Sequence, residues 1–370
     1  MKIVIPILDF SKSGGARVLF KLASEWSMMG HSVLILVKNS NVAPYFPTQA
    51  EIVLLGDNGM EVKRENLNNT ACGDTGGLKY VFNKLYTLLK GLNNYAHDCD
   101  IILANHSLTV WPVFLSNTKA KKFYYIQAYE PDFYHDKIFI KSILWKIVIN
   151  ITYYLKLNRI VNSPIYFSYK SIISNNFVPP GIDLSVFYSK GGLDKNWENR
   201  KIILGCIGRK EPWKGTLDVL EASLIMIDRK YNIELHVAFG DPIKEKLQFP
   251  HCKIIESKND FELSEFYRNV DILIAPSVIQ LGAYHYPVME AMACGTPVIH
   301  TGYLPGTKYN SWIVPIHDPS AIADSVNEII NKGTVRNLKI RQGLQDVQEY
   351  AWENVAKKMI GIFELCPSKT

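Results

Sequence analysis

The sequence predicts an α/β protein made of two doubly wound, Rossmann-like domains. Three observations carry that reading. Continuous apolar runs of strand length alternate with segments of helical periodicity. The alternation pauses at a proline-rich turn and a polar stretch near residues 178–200, then restarts. And 370 residues exceed what one hydrophobic core usually serves.

In order along the chain, Lys2 to Leu8 is an apolar first strand, followed by a Ser/Gly turn through Gly15. Arg17 to Met29 has helical spacing and ends at Gly30-His31; Ser32 to Val37 is the next strand, which completes a βαβ unit. Further strands are expected at Ile52–Leu55, Ile101–Ala104 and Phe123–Ile126, and the Asn/Gly-rich stretch from Gly56 to Gly77 reads as a surface loop. Val178-Pro-Pro-Gly-Ile-Asp183 makes a rigid turn, and Ser189 to Arg200 a linker. Beyond it come a strand at Lys201–Gly208, a helix at Gly215–Arg229, strands at Glu234–Phe239 and Asp271–Ala275, a helix at Pro287–Cys294 and a strand at Pro297–His300. Such open sheets bind ligands beyond the carboxyl ends of their strands.

Composition narrows the class. Six cysteines lie far apart with no C-x-x-C, which speaks against a disulfide framework or zinc knuckle and for a reducing, cytoplasmic setting. The six apolar residues before Asp9 are too few for a signal-peptide core. Residues 1–190 hold 20 Lys+Arg against 13 Asp+Glu, a net of +7, and residues 191–370 hold 21 against 22, a net of −1. A basic first half suits an anionic partner or is ordinary solubilising charge.

Two constellations carry chemistry. Gly208-Arg209 closes a strand and Lys214-Gly215 opens the next helix, so two cations and free amides converge as an anion would need, although such a string also occurs as a plain surface turn. After the strand ending at Ala275, Gly282-Ala-Tyr-His285-Tyr286 leads into Pro287-Val288-Met-Glu290. There Pro287 suits a first helical turn, and Glu290 can accept two ribose hydroxyls or merely favour the helix dipole. The first turn, Ser11-Lys-Ser-Gly-Gly15, is not G-x-G-x-x-G, so a nicotinamide oxidoreductase is discounted.

In this order and spacing the motifs resemble the retaining nucleotide-sugar glycosyltransferases of family 4, whose architecture is GT-B, two such domains with a cleft between them. The resemblance runs through residues 9–37, Val178 to Phe187, Gly208 to Gly215, Ala275 to Ile299, Ile316-His-Asp318-Pro and Trp352-Glu353. It implies an acceptor-binding domain at 1–180, a donor-binding domain at 181–350, and a last helix at about 351–370 returning to the first domain. It also implies that Arg209 and Lys214 hold the donor diphosphate and Glu290 the ribose. Gly14, Gly15 and Gly208 would allow close backbone approach, and the amides of Tyr286 through Met289 would meet the distal phosphate. The implied partners are a nucleotide sugar and a glycan or lipid-linked acceptor in bacterial surface polysaccharide synthesis, with no nucleic acid, no cofactor and no metal.

The sequence also departs from that pattern. Gly282 stands where the family has a second Glu, and Gln127-Ala-Tyr129-Glu130 where it commonly has a His. Glu130 then becomes a catalytic candidate, with Gln127, Tyr129 and His106 candidates for the acceptor. Ile126 to Tyr134 looks like a subset of rhamnosyltransferases, which implies dTDP-rhamnose; a UDP- or GDP-hexose, or a binding protein weak in catalysis, are the alternatives. Finally, Ile138 to Leu157 is apolar with Lys141, Lys146 and Lys156 interspersed, and reads either as a peripheral membrane contact at the inner face or as a packing helix.

Overall fold

Apolar strands buried on both faces need helices on both sides, and the computed structural model has this arrangement twice. It describes residues 1–11, 13–40, 42–63, 78–134, 140–191, 197, 200–239 and 251–366. The chain divides into two compact units, Met1–Gly181 with Trp352–Thr370, and Ile182–Ala351.

In the first unit, seven strands pair in parallel: Lys2–Ile7 (β1), Ser32–Lys38 (β2), Glu51–Leu55 (β3), Ile101–Ala104 (β4), Lys121–Ile126 (β5), Asn158–Val161 (β6) and Asn176–Phe177 (β7). Their spatial order is β3-β2-β1-β4-β5-β6-β7, which reverses direction between β1 and β4. Helix α1 (Gly14–Met28) begins three residues earlier than the periodicity predicts, because Ser13 caps it by accepting from the Ala16 amide at 3.2 Å. Helices α2 (Leu78–Tyr95), α3 (Ser107–Leu115) and α4 (Ile140–Thr152) follow. In the same unit, the final helix of the chain packs on α1: Trp26 donates to the Ala356 carbonyl at 3.2 Å, and Phe363 meets the rings of Trp26 and Phe123.

The second unit repeats the plan with Ile202–Ile207 (β8), Ile233–Ala238 (β9), Cys252–Ile255 (β10), Ile272–Ala275 (β11), Val298–His300 (β12) and Trp312–Ile313 (β13), in the order β10-β9-β8-β11-β12-β13. Helices α5 (Thr216–Asp228), α6 (Asp260–Asn269), α7 (Tyr286–Ala293), α8 (Pro319–Asn331) and α9 (Gly333–Asp346) cover it, and the helix Trp352–Leu365 of the first unit is α10. Its reversal falls between β8 and β11, whose carboxyl ends run into Gly208-Arg209 and Pro276-Ser277.

Two sequence readings change. The expected loop from Gly56 starts as a tight turn with a bridge between Leu55 and Glu61; residues 64–77 lie outside the described set. The expected linker Ser189–Arg200 is anchored as well as polar. Trp197 is buried in the second core, with the guanidinium groups of Arg336 and Arg200 over its ring at 4.2 and 5.3 Å. Residues 192–196 and 198–199 lie outside the described set.

Candidate active site

In the second unit, the carboxyl end of β8 delivers Gly208 and Arg209. The Gly208 amide donates to the Ala238 carbonyl at 2.7 Å, and Thr216 at the start of α5 holds the Arg209 backbone through its hydroxyl, at 3.2 Å to both amide and carbonyl. The Arg209 guanidinium lies over Phe239, 5.4 Å from the ring centre. Residues 212–214 form a short 3₁₀ turn, after which Gly215 takes φ 71°. Glycine is required there: a Cβ would come within 2.3 Å of the Pro276 carbonyl oxygen. The Val278 amide donates to the Trp213 carbonyl at 2.9 Å, so the cation-bearing turn and the segment after β11 are tied together.

Lys214 is half-buried, and desolvation, then the Arg209 charge, lowers its pKa. Among the described residues neither Lys214 nor Arg209 makes an ion pair. A half-buried ammonium without an ion-pair partner among the described residues, beside a second cation, is an arrangement that an anionic ligand would relieve.

The segment 282–285 is held by a second loop. The Gly282 amide donates to the Gly302 carbonyl, Leu304 to Ala283 and His285 to Leu304, at 2.8–2.9 Å. His300 shapes that second loop. Its Nδ1 accepts from the Gly302 and Tyr303 amides at 3.0 and 2.9 Å, so Nε2 carries the proton and donates to Ser311 Oγ at 2.9 Å. Burial first, then the Lys339 charge, pushes His300 down to about 4, which keeps it neutral. His285 is half-buried, and its pKa falls well below the usual value through desolvation first, then the charge of Lys214. Its Nδ1 is buried without a hydrogen-bond partner among the described residues, and its ring lies 4.9 Å from that of Tyr303.

The helix start is narrower than expected. Pro287 has no amide hydrogen, and the Val288 and Met289 amides donate to the His285 carbonyl at 3.0 and 3.2 Å. The expectation that amides 286 through 289 all face a phosphate is corrected accordingly: the first turn closes on its own carbonyl. Glu290 is 2% exposed, and its Oε2 accepts from the Tyr267 hydroxyl at 2.9 Å. Gly282, in the position where resemblance suggests a carboxylate, has φ 90°.

In the first unit, the reversal between β1 and β4 brings together Gly15, Asn105 and Gln127. Gln127 Nε2 donates to the Gly15 carbonyl at 3.2 Å, and a Cβ on Gly15 would make only ordinary contact with Gln127 and Asn105. The protein's own packing therefore does not demand glycine at 15. Glu130 does not present a free carboxylate. Its Oε1 accepts from the Ser107 amide at 2.8 Å and its Oε2 from the Ser107 hydroxyl, with His106 Nε2 at 3.6 Å. His106 caps α3 in turn, its Nδ1 accepting from the Leu108 amide at 3.1 Å. The carboxylate thus secures a helix start. His106 borders a 120 Å³ cavity with Val81, Leu108, Trp145 and Ile149. The Tyr129 hydroxyl donates to Asn150 at 2.8 Å, and its ring packs against Tyr153 and Tyr169.

Sequence reasoning passed over Tyr267, Thr216 and His300. Only Thr216, next to Lys214-Gly215, carried a local signal; the other two act through folds of the chain that no short motif encodes.

Two parallel-sheet Rossmann-like domains with these carboxyl-end constellations define the GT-B class of fold. Residues 201–332 match the family described as glycosyl transferases group 1. The chain is similar to the D-inositol 3-phosphate glycosyltransferase of Corynebacterium urealyticum, 25% identical over 232 residues that cover 55% of this chain and 53% of that protein. The chain thus spans about half the length of the curated relatives it matches. Among solved structures it resembles sucrose-phosphate synthase from Thermosynechococcus elongatus (TM-score 0.75, 16% identity, 98% of each chain). It also resembles Anabaena HepE in complex with UDP and glucose (TM-score 0.69, 15% identity, 99% of this chain and 100% of that one).

Proposed function

We propose that the chain is a glycosyltransferase that takes a sugar from a nucleotide diphosphate and passes it, with retention, to a glycan or lipid-linked acceptor. The observation that carries this is the pair Arg209 and Lys214, two cations without an ion-pair partner among the described residues, at the reversal point of a parallel sheet. They suit a diphosphate, and Glu290 suits the ribose. In the transfer, the bond from the anomeric carbon to the departing phosphate oxygen breaks as the acceptor oxygen bonds to the same face. The acceptor's proton passes to that phosphate oxygen, and the charge growing there is stabilised by the two cations, so no divalent ion is required. Gly14 and Gly15 would admit the donor to the backbone; Gln127 and His106, held by Glu130, would face the acceptor, with Tyr129 behind them.

For the donor we favour dTDP-rhamnose, on the pattern Ile126 to Tyr134 and the missing carboxylate at Gly282. A UDP-hexose is the second reading, favoured by the buried Glu290, since a 2′-deoxyribose offers it one hydroxyl fewer, and by the UDP and glucose bound to HepE. Thermal shift with dTDP, UDP and GDP, followed by transfer assays with the matching sugars in excess EDTA, tests the proposal. Stabilisation by one diphosphate and chelator-resistant transfer are expected. No shift with any diphosphate would overturn the donor site, and activity lost to EDTA but restored by Mg²⁺ would overturn the fixed-cation mechanism.

A further inference from the structure

Helix α4 is built inside out. Ile149 and Thr152 are buried, as is Tyr153 just beyond, and Asn150 accepts from Tyr129, so one side is committed to the first unit. The opposite side carries Ile143, Leu144, Ile147 and Ile151, with Tyr154 in the turn that follows; these five are 43–62% exposed. At roughly 100° per residue the four helical ones span an arc of about 100°. That is the width of stripe a surface helix ordinarily turns to its core. Here it faces solvent. Single exposed apolar residues are normal, whereas a continuous stripe marks a contact surface.

The charge around the stripe selects the occupant. From residue 137 to residue 182 the sequence contains Lys137, Lys141, Lys146, Lys156, Arg159 and Lys170, and no Asp or Glu. Lys146 lies on the flank of the arc, and Lys156 and Lys170 are exposed. An apolar stripe on a stretch of chain that carries cations and no acidic residue complements a bilayer surface carrying anionic headgroups. There the isoleucines can enter the headgroup–acyl boundary while the lysines stay level with the phosphates. Thirteen residues are too few to span a bilayer, and no helix among the described residues is long and apolar enough to cross one.

We propose that α4 and Tyr154 form an interfacial anchor that docks the first unit on a membrane containing anionic phospholipid. This goes beyond the glycosyl-transfer reading and holds whichever sugar is moved.

Co-sedimentation of the full chain with phosphatidylcholine vesicles, with and without phosphatidylglycerol, tests it in the absence of donor and acceptor. Affinity should be at least about tenfold higher with the anionic lipid and should fall with added salt. Ile147→Glu and Ile151→Glu alter exposed positions, so each should keep the wild-type melting temperature and transfer to a water-soluble acceptor while losing at least about tenfold in vesicle affinity. The proposal is overturned if the wild type ignores both vesicle types or if these variants sediment as it does. It is equally overturned if Ile147→Glu splits a dimer, seen by sedimentation velocity, and leaves vesicle binding unchanged.

Discussion

The Tyr267 hydroxyl of α6 donates a 2.9 Å hydrogen bond to Glu290 Oε2 of α7, and both side chains are almost wholly buried. A carboxylate so enclosed stays ionised only if hydrogen bonds replace its lost water. The phenol is therefore a positioning group for the residue assigned to the ribose. It is itself fixed by Thr296, whose hydroxyl donates to the Tyr267 carbonyl at 2.6 Å.

Tyr267→Phe removes one donor from a buried acceptor and should cost about 1–3 kcal/mol of stability. It should also weaken UDP binding while leaving inorganic diphosphate binding unchanged. Calorimetric titration of the variant with UDP, 2′-deoxy-UDP and diphosphate separates the contributions. A variant that loses UDP and diphosphate equally has lost the fold of the site, and one that loses neither shows that Glu290 does not serve the ribose.

Arg209→Ala and Lys214→Ala should each lower transfer by about 30- to 1,000-fold, or roughly 2–4 kcal/mol of transition-state stabilisation. The folds should survive, since among the described residues neither side chain has a hydrogen-bonded or ionic partner that its loss would orphan, the Arg209 contact to its own neighbour Gly208 aside. Turnover near wild type in both variants, with circular dichroism unchanged, is the result that this clamp does not permit.

How far the sequence carried the fold and site depends on the length scale of each feature. The strands at Lys2–Ile7 and Ile202–Ile207 were legible because burial on both faces leaves unbroken apolar runs. β7 and β13 are two residues long and leave no periodicity to read. Lys214-Gly215 was legible as a motif, but its setting was not: the glycine is required by the Pro276 carbonyl, 61 positions along the chain. The setting of Glu130 was hidden for the same reason. Read linearly it is a loop carboxylate before a proline, whereas its partner Ser107 lies 23 residues upstream. The outward stripe of α4 was hidden too, because apolar residues on both sides of a helix give no clue to which side the fold will cover.

Lys214 also makes pH a probe. Burial, then Arg209, lowers its pKa in the free protein. An anion binds the protonated form, so diphosphate affinity should be intact below that value and decline as pH rises through it, earlier than for an ordinary lysine. Stability runs the other way. The unfolded chain holds this proton more tightly, so folding gains as pH rises from the lowered value toward the ordinary one. Lys214→Arg keeps its charge throughout, and its binding profile should stay flat over that window. If the two profiles for inorganic diphosphate superimpose, Lys214 is not the titrating cation.

Gly282 offers the sharpest test of the donor. With φ 90° and its amide bonded to Gly302, it is a position where any L side chain is strained, so Gly282→Glu alone confounds charge with backbone. Gly282→Ala supplies the control, carrying about 1–2 kcal/mol of strain and no charge. If the natural donor is dTDP-rhamnose, the added carboxylate meets an anionic diphosphate and a ring lacking the hydroxyl that it would bind. Gly282→Glu should then fall at least about tenfold, or 1.4 kcal/mol, below Gly282→Ala with that donor. A UDP-hexose site that had merely lost its acid behaves oppositely, since the restored carboxylate finds its hydroxyl and the Glu variant outpaces the Ala variant with UDP-glucose. Strain is common to both variants and cancels in the ratio, so the sign of the Glu-to-Ala ratio with each donor separates the two sugars.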